Sequence, residues 1–152
     1  MPSRYLAPVN EPLTILLVED DPGDVLIAQE AFAAGGLATR VHVVSDGVEA
    51  LAFLRREAEH TGAPIPDLLL VDLNLPRMSG HELLTEVKGN AAWRSIPVAV
   101  LTTSRSEEDV ARSYDLQANV HVSKPSDFEE SVAVVTRIDE FFGRLAELPG
   151  RA

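Results

Sequence analysis

Five short runs of branched and apolar residues, each breaking off at polar residues and most of them followed by a helix-type segment, constrain this chain more than any other feature. They are Leu13 to Val18, Arg40 to Val44, Leu68 to Asp72, Pro97 to Leu101 and Asn119 to Val122. The near-continuous apolar runs among them, Leu13 to Val18 and the stretch from Leu68 up to Asp72, have the pattern of strands buried on both faces of a parallel sheet.

The segments between them carry helix signals. Asp21-Pro22 reads as an N-cap followed by proline at the first helical position, with Asp24 in the first turn to complement the helix dipole and Gly35-Gly36 as the stop. Asp46 with Glu49, and Ser79 with Glu82, have capping-box spacing, and Ser106 is placed to cap a helix containing Val110 and Tyr114. Ser126 and Glu129 are expected to cap a last helix whose apolar positions Phe128, Val132, Val135, Ile138, Phe142 and Leu145 fit helical spacing. Five strands alternating with five helices predict right-handed crossovers and a doubly wound α/β domain with a five-stranded parallel sheet.

At 152 residues, 45% of them hydrophobic, the chain suffices for one core and is short for two. Residues 13–145 are read as that domain, 1–12 as an N-terminal extension and 146–152 as a tail, the two ends holding Pro2, Pro8, Pro12 and Pro149. A net charge of −11 with no basic cluster argues against binding nucleic acid or an anionic membrane. The chain has no cysteine, which excludes disulfides and thiolate chemistry. No stretch approaches the roughly 20 apolar residues of a membrane span, and residues 1–10 lack the apolar run of a signal peptide, so a cytoplasmic location is expected.

In an open parallel sheet, ligands bind beyond the C-terminal ends of the strands near the topological switch point. Here the first strand ends in Glu19-Asp20-Asp21, the third in Asp72, the fourth in Thr102-Thr103 and the fifth in Lys124-Pro125. Carboxylates about 4–5 Å apart at an effective dielectric of about 20 repel by several kcal/mol per pair, so such a cluster calls for a cation. An all-oxygen donor set suits Mg²⁺, with Mn²⁺ as a substitute. Zinc is disfavoured because His42, His60, His81 and His121 show no ligand spacing. A carboxylate beside a divalent ion can attack phosphorus, and the charge then developing on the phosphoryl oxygens needs a cation, a hydroxyl and N–H donors. Lys124, Thr102 and the backbone after Asp72 are the candidates.

The segments ILLVEDDPGD from Ile15, LLLVDLNLPRMSG from Leu68, AVLTTS from Ala99 and SKPS from Ser123 resemble response-regulator receivers of two-component systems, in the same order and each at a strand end. The resemblance runs from residue 13 to about residue 142 and implies a flavodoxin-like (βα)5 fold with strand order 2-1-3-4-5. It implies Asp72 as phosphoacceptor and Lys124 and Thr102 as its catalytic partners. Asp20, Asp72 and the Asn74 carbonyl would ligate the metal, with Glu19 acting through water. Thr102 would be the switch hydroxyl, Asn74 and Ser104 would tune hydrolysis, and the Lys124–Pro125 bond would be cis.

His121 stands where many receivers have a Tyr or Phe that turns inward on phosphorylation, and Ser126 replaces the aromatic often found after Lys-Pro. His121 is therefore expected to serve as the switch residue in a modified, pH-sensitive form. The Asp21-Pro22-Gly23-Asp24 segment and the compact size also resemble the stand-alone regulators of bacterial phytochromes. The implied partner is a histidine kinase, a phytochrome in that narrower match, and the domain would be a signalling receiver rather than a turnover enzyme. A relay intermediate or phosphate sink without its own target is the alternative. Phe141 beside Phe142 is more apolar than one buried stripe needs, which favours a homodimer through helix 4, strand 5 and helix 5.

Two rivals share part of the pattern. A phosphatase with an aspartyl nucleophile would want an acid two residues after it, where this chain has Asn74. A flavodoxin-like nucleotide binder would want a Gly- or Ser-rich phosphate loop after the first strand, where this chain has three acids.

Overall fold

A computed structural model describes residues 12–149. The chain alternates β1 (Thr14–Val18), α1 (Pro22–Ala34), β2 (Arg40–Val44), α2 (Gly47–Arg55), β3 (Leu68–Val71), α3 (Gly80–Lys88), β4 (Val98–Thr102), α4 (Glu107–Asp115), β5 (Val120–Ser123) and α5 (Phe128–Glu140). A short 3-10 turn spans Ala58–His60, and α5 runs into a π turn over Phe141–Leu145. All five strands are parallel in the order β2-β1-β3-β4-β5, as the resemblance implied.

The strands alternate their side chains between two cores. Leu16, Val18, Leu69, Val71, Val98 and Val100 face α2 and α3, meeting Ala50, Leu51, Phe53, Leu83, Leu84 and Val87. Ile15, Leu17, Leu68, Leu70, Ala99 and Leu101 face α1 and α5, meeting Ala28, Phe32, Val135 and Ile138. Since β1, β3 and β4 are covered on both sides, they have no polar face, which is why they read as unbroken apolar runs.

The order 2-1-3 puts the switch point between β1 and β3. The register Val18↔Val71 brings the residues that follow, Glu19 and Asp72, to the same sheet edge. Gly80 opens α3 against the backbone beyond β3: a Cβ there would lie 2.5 Å from the Asp72 carbonyl oxygen and 2.7 Å from the Leu73 Cα. Only glycine allows that approach. The β3–α3 loop is also fastened to the β2–α2 turn. Asp46 caps α2 by accepting from the Glu49 N–H at 2.8 Å, and its other oxygen takes Arg77 Nε and Nη2, each at 2.8 Å.

Several local expectations shift. Asp21 occupies the N-cap of α1 with Pro22 following, but its side chain makes no capping bond. The last helix is capped by Asp127 accepting from the Glu130 N–H at 3.0 Å, not by Ser126 and Glu129. Leu145 lies in the π turn and is exposed, so it leaves the buried stripe of α5. Phe142 is buried while Phe141 is half exposed, their rings edge to face at 5.0 Å. Leu148, in the segment read as a tail, packs against the α1–α5 core, whereas residues 150–152 and 1–11 of the two end segments lie outside the described residues. No helix among the described residues is long and apolar enough to cross a membrane.

Candidate functional site

The site stands at the C-terminal edge of the sheet. Glu19 continues β1 by donating its N–H to the Val44 carbonyl at 3.0 Å, which draws its side chain inward to 4% exposure. Its Oε2 accepts from the Asp21 N–H at 3.1 Å. Asp20, one residue on, is exposed. Oxygens of Glu19, Asp20 and Asp72 all lie within 4.8 Å of one another.

Asp72 is held by its strand, its N–H donating to the Val18 carbonyl at 3.1 Å. One carboxylate oxygen accepts from the Thr102 hydroxyl at 2.8 Å and the Asn74 N–H at 3.1 Å; the other accepts from Lys124 at 3.1 Å. Thr102 is fully buried at the end of β4. Lys124 follows β5, and its ammonium also donates to Glu19 at 2.5 Å and Asp24 at 2.8 Å. The Lys124–Pro125 bond is trans, a correction to the cis form the resemblance implied. The lysine reaches the site through the β4–β5 pairing, where its own N–H bonds the Thr102 carbonyl at 2.7 Å.

Burial pushes the Glu19 carboxyl up to about 7, a rise that the bond and charge of Lys124 only partly offset. Burial also works against the charge on Lys124, but bonds to Asp24 and Glu19 and the charge of Asp72 outweigh it and hold the ammonium above the ordinary lysine value. Three carboxylates share one ammonium, and Glu19, the deepest of them, is the one that burial drives toward its neutral form. The oxygen-only donors and the excess of carboxylate over cation fit a hard divalent ion and not a phosphate held directly against the acids.

A second network runs from this site toward α4. Ser104 donates its hydroxyl to Asp109 at 2.5 Å, which holds that carboxyl below its usual range. The His121 ring is half-buried, with Nε2 3.3 Å from the Ser104 carbonyl and Nδ1 3.1 Å from the Ser113 hydroxyl. Ser113 is fully buried, donates to the Asp109 carbonyl at 2.9 Å and lies 3.2 Å from His81 Nε2. Burial, together with Arg112, keeps His81 below the usual histidine value. The Tyr114 hydroxyl accepts from the His121 N–H at 3.2 Å, tying α4 to β5.

The side-chain candidates from the sequence thus fall on or beside this edge. Glu19, Asp20, Asp72, Thr102 and Lys124 come together, Asn74 joins through its backbone N–H, and Ser104 with His121 lies one step away. The sequence marks Asp24 as a complement to the helix dipole and as part of the Asp21-Pro22-Gly23-Asp24 segment, not as a partner of Lys124, and it carries no signal that His81 and Ser113 belong to this network. The signal for Asp24 was its place in the first turn of a helix that starts at the same sheet edge.

The family model for the response regulator receiver domain matches residues 15–136. Response regulator Rcp1 of Synechocystis sp. is 39% identical over 140 residues, 92% of this chain and 95% of that protein. The probable methanogenesis regulatory protein FilR2 of Methanothrix harundinacea is 38% identical over 143 residues, 94% of this chain and 92% of that protein. Among solved structures, the phosphorylated cyanobacterial phytochrome response regulator RcpA superposes with a TM-score of 0.89 at 41% identity, covering 92% of this chain and all of that one (100%). The Mn²⁺-bound form of Rcp1 gives 0.87 at 38% identity, covering 91% and 100%. By fold, strand-end residues and these likenesses together, this chain belongs to the response-regulator receiver family.

Proposed function

We propose that the chain is a response regulator that takes a phosphoryl group onto Asp72 from a phosphohistidine of a partner histidine kinase. The observation that carries this reading is the Asp72 carboxylate, set at a strand end between an acid pair, a buried hydroxyl and a buried ammonium. An Asp72 oxygen attacks phosphorus in line as the N–P bond breaks, and the electron pair of that bond stays on the donor imidazole. Asp20, Asp72 and the Asn74 carbonyl, with Glu19 through water, would hold Mg²⁺ or Mn²⁺, which neutralises phosphoryl oxygens when bound. Lys124 pairs with the product phosphoryl, and the Asn74 N–H is placed to donate to it.

Thr102 already donates to Asp72, so its hydroxyl needs only to pass from the carboxylate to a phosphoryl oxygen. Through Ser104 that movement reaches His121, which acts as the switch residue by exchanging its contacts with the Ser104 carbonyl and Ser113. Asn74 and Ser104 flank the path of the hydrolytic water and tune the lifetime of the phosphoryl group. The domain promotes its own phosphorylation and slow hydrolysis without further turnover.

The likeness to the cyanobacterial phytochrome response regulator RcpA supports a phytochrome as the kinase. The chain forms a homodimer through α4, β5 and α5, a reading that the exposed Phe141 beside a groove lined by Pro97, Val120, Val122 and Phe142 supports for the β5 and α5 part of that face. A cytoplasmic location, with no nucleic-acid or membrane binding, completes the reading.

The test is phosphotransfer to the purified protein from a histidine kinase or a small phosphodonor in the presence of Mg²⁺. Asp72→Asn should lose at least about a hundredfold in labelling rate, the scale of removing a covalent nucleophile. Labelling of that variant at the wild-type rate would refute the assignment.

A further inference from the structure

The ammonium of Lys124 has three protons, and each is donated to a different carboxylate: Glu19, Asp24 and Asp72. Two of those partners, Glu19 and Asp72, also belong to the group whose oxygens converge with Asp20 within 4.8 Å; Asp24 does not. A divalent ion among the converging oxygens competes with Lys124 for Glu19 and Asp72, and a phosphoryl group on Asp72 removes that carboxylate as an acceptor. Asp24 is the one acceptor left unclaimed by either event.

Asp24 is also well fixed. It lies in the first turn of α1, behind Asp21 at the N-cap and Pro22 at the first helical position, so its backbone is set by the helix start and its charge is favoured by the helix dipole. A lysine side chain released from its acceptors regains rotamer freedom and spreads over several positions, so an anchor that persists keeps the ammonium in one place.

We propose that Asp24 is a positioning residue for Lys124: it holds the ammonium on the α1 side of the site so that the cation stays aimed at Asp72 when metal and phosphoryl group claim its other two carboxylates. The proposal rests on the phosphoacceptor reading above. It assigns Asp24 no contact with the phosphoryl group. Its effect is transmitted only through Lys124.

A double-mutant cycle on the whole chain tests it, with Asp24→Asn, Lys124→Ala and both together. Two quantities are measured in each: the rate of Asp72 labelling by acetyl phosphate with Mg²⁺, and the affinity for Mn²⁺ without phosphodonor. In the wild-type background Asp24→Asn should slow labelling about tenfold, the scale of one charge-assisted hydrogen bond. It should also weaken Mn²⁺ binding severalfold, because Lys124 then falls back onto Glu19 and Asp72. In the Lys124→Ala background, labelling should change less than about twofold on adding Asp24→Asn, and the loss of Mn²⁺ affinity should be smaller than in the wild-type background.

Equal effects in both backgrounds would show a simple charge or helix-stability role and overturn the proposal, as would faster labelling of Asp24→Asn. Asp24→Glu, which keeps the charge on a longer arm, should recover part of the rate, whereas a purely structural contact would not be rescued. If the wild-type protein binds Mn²⁺ but does not label at all, the phosphoacceptor reading fails, and the Mn²⁺ arm of the cycle still decides whether Asp24 acts through Lys124.

Discussion

β3 and β5 carry the two halves of the site and are built in opposite ways. β3 lies between β1 and β4 with all four residues buried, whereas β5, among the described residues, pairs only with β4 and all four of its residues are half-exposed. The strand that delivers Asp72 is thus locked on both edges and both faces. The strand that delivers Lys124 and His121 has one edge unpaired among the described residues and lies beside an apolar groove. On the proposed function the acceptor would be fixed and the reading elements placed where neighbours can shift, an arrangement suited to chemistry at one end and a surface response at the other.

The comparison breaks first on stability. Leu70→Ala on β3 should cost about 2–5 kcal/mol, and Val122→Ala on β5 about 1 kcal/mol, both read from urea unfolding midpoints. Equal losses would mean that β5 is as tightly held as β3.

The sequence carried the buried half of this comparison well. LLLV before Asp72 could be read because a strand covered on both sides tolerates nothing but apolar residues, and the four strand-end motifs then located the acids, the threonine and the lysine. Other features depend on approaches between elements far apart in the chain. His81, Ser113 and His121 come from α3, α4 and β5, and no local pattern records that they meet around one hydroxyl. The cap of α5 slipped by one residue because Ser126 and Asp127 are both good caps with a glutamate three positions on, so the local signals were degenerate. Leu145 kept helical spacing, but the chain had already left the α-helix for a wider turn.

A smaller effect sharpens the comparison on the His81 side. Burial holds His81 below its usual value of 6.5 when folded, so below pH 6.5 the unfolded chain binds a proton that the folded chain refuses. The stability His81 leaves intact above pH 6.5 is therefore lost as pH falls through its folded value. Glu19 acts in the opposite sense: its folded value of about 7 lies above the ordinary glutamate value of 4.5, so between these two the folded chain holds the extra proton and gains stability as pH falls. In unfolding experiments at pH 5 and pH 7.5, His81→Gln should gain stability on acidification relative to wild type, and Glu19→Gln should lose it. Identical slopes for the two variants would contradict these assignments.

The smallest thermodynamic effect belongs to the exposed ring beside β5. Phe141→Ser should change monomer stability by no more than about 0.5 kcal/mol, as surface substitutions do, while weakening self-association measured by sedimentation. A dimer that survives this change unaltered would place the contact elsewhere.

The double use of Asp46 has a consequence for how the protein opens. One oxygen of that carboxylate caps α2 and the other holds Arg77 in the loop after Asp72, and the Gly47 N–H at the start of α2 donates to the Met78 carbonyl of the same loop at 3.3 Å, so a swing of the loop strips contacts from the first turn of α2. Local breathing beside Asp72 is thereby expected to be joined to fraying of a helix on the far side of the switch point, the two opening as one cooperative unit. Amide protons of the β3–α3 loop should exchange with solvent at the pace of the α2 N-terminus, not at the pace of an ordinary surface loop.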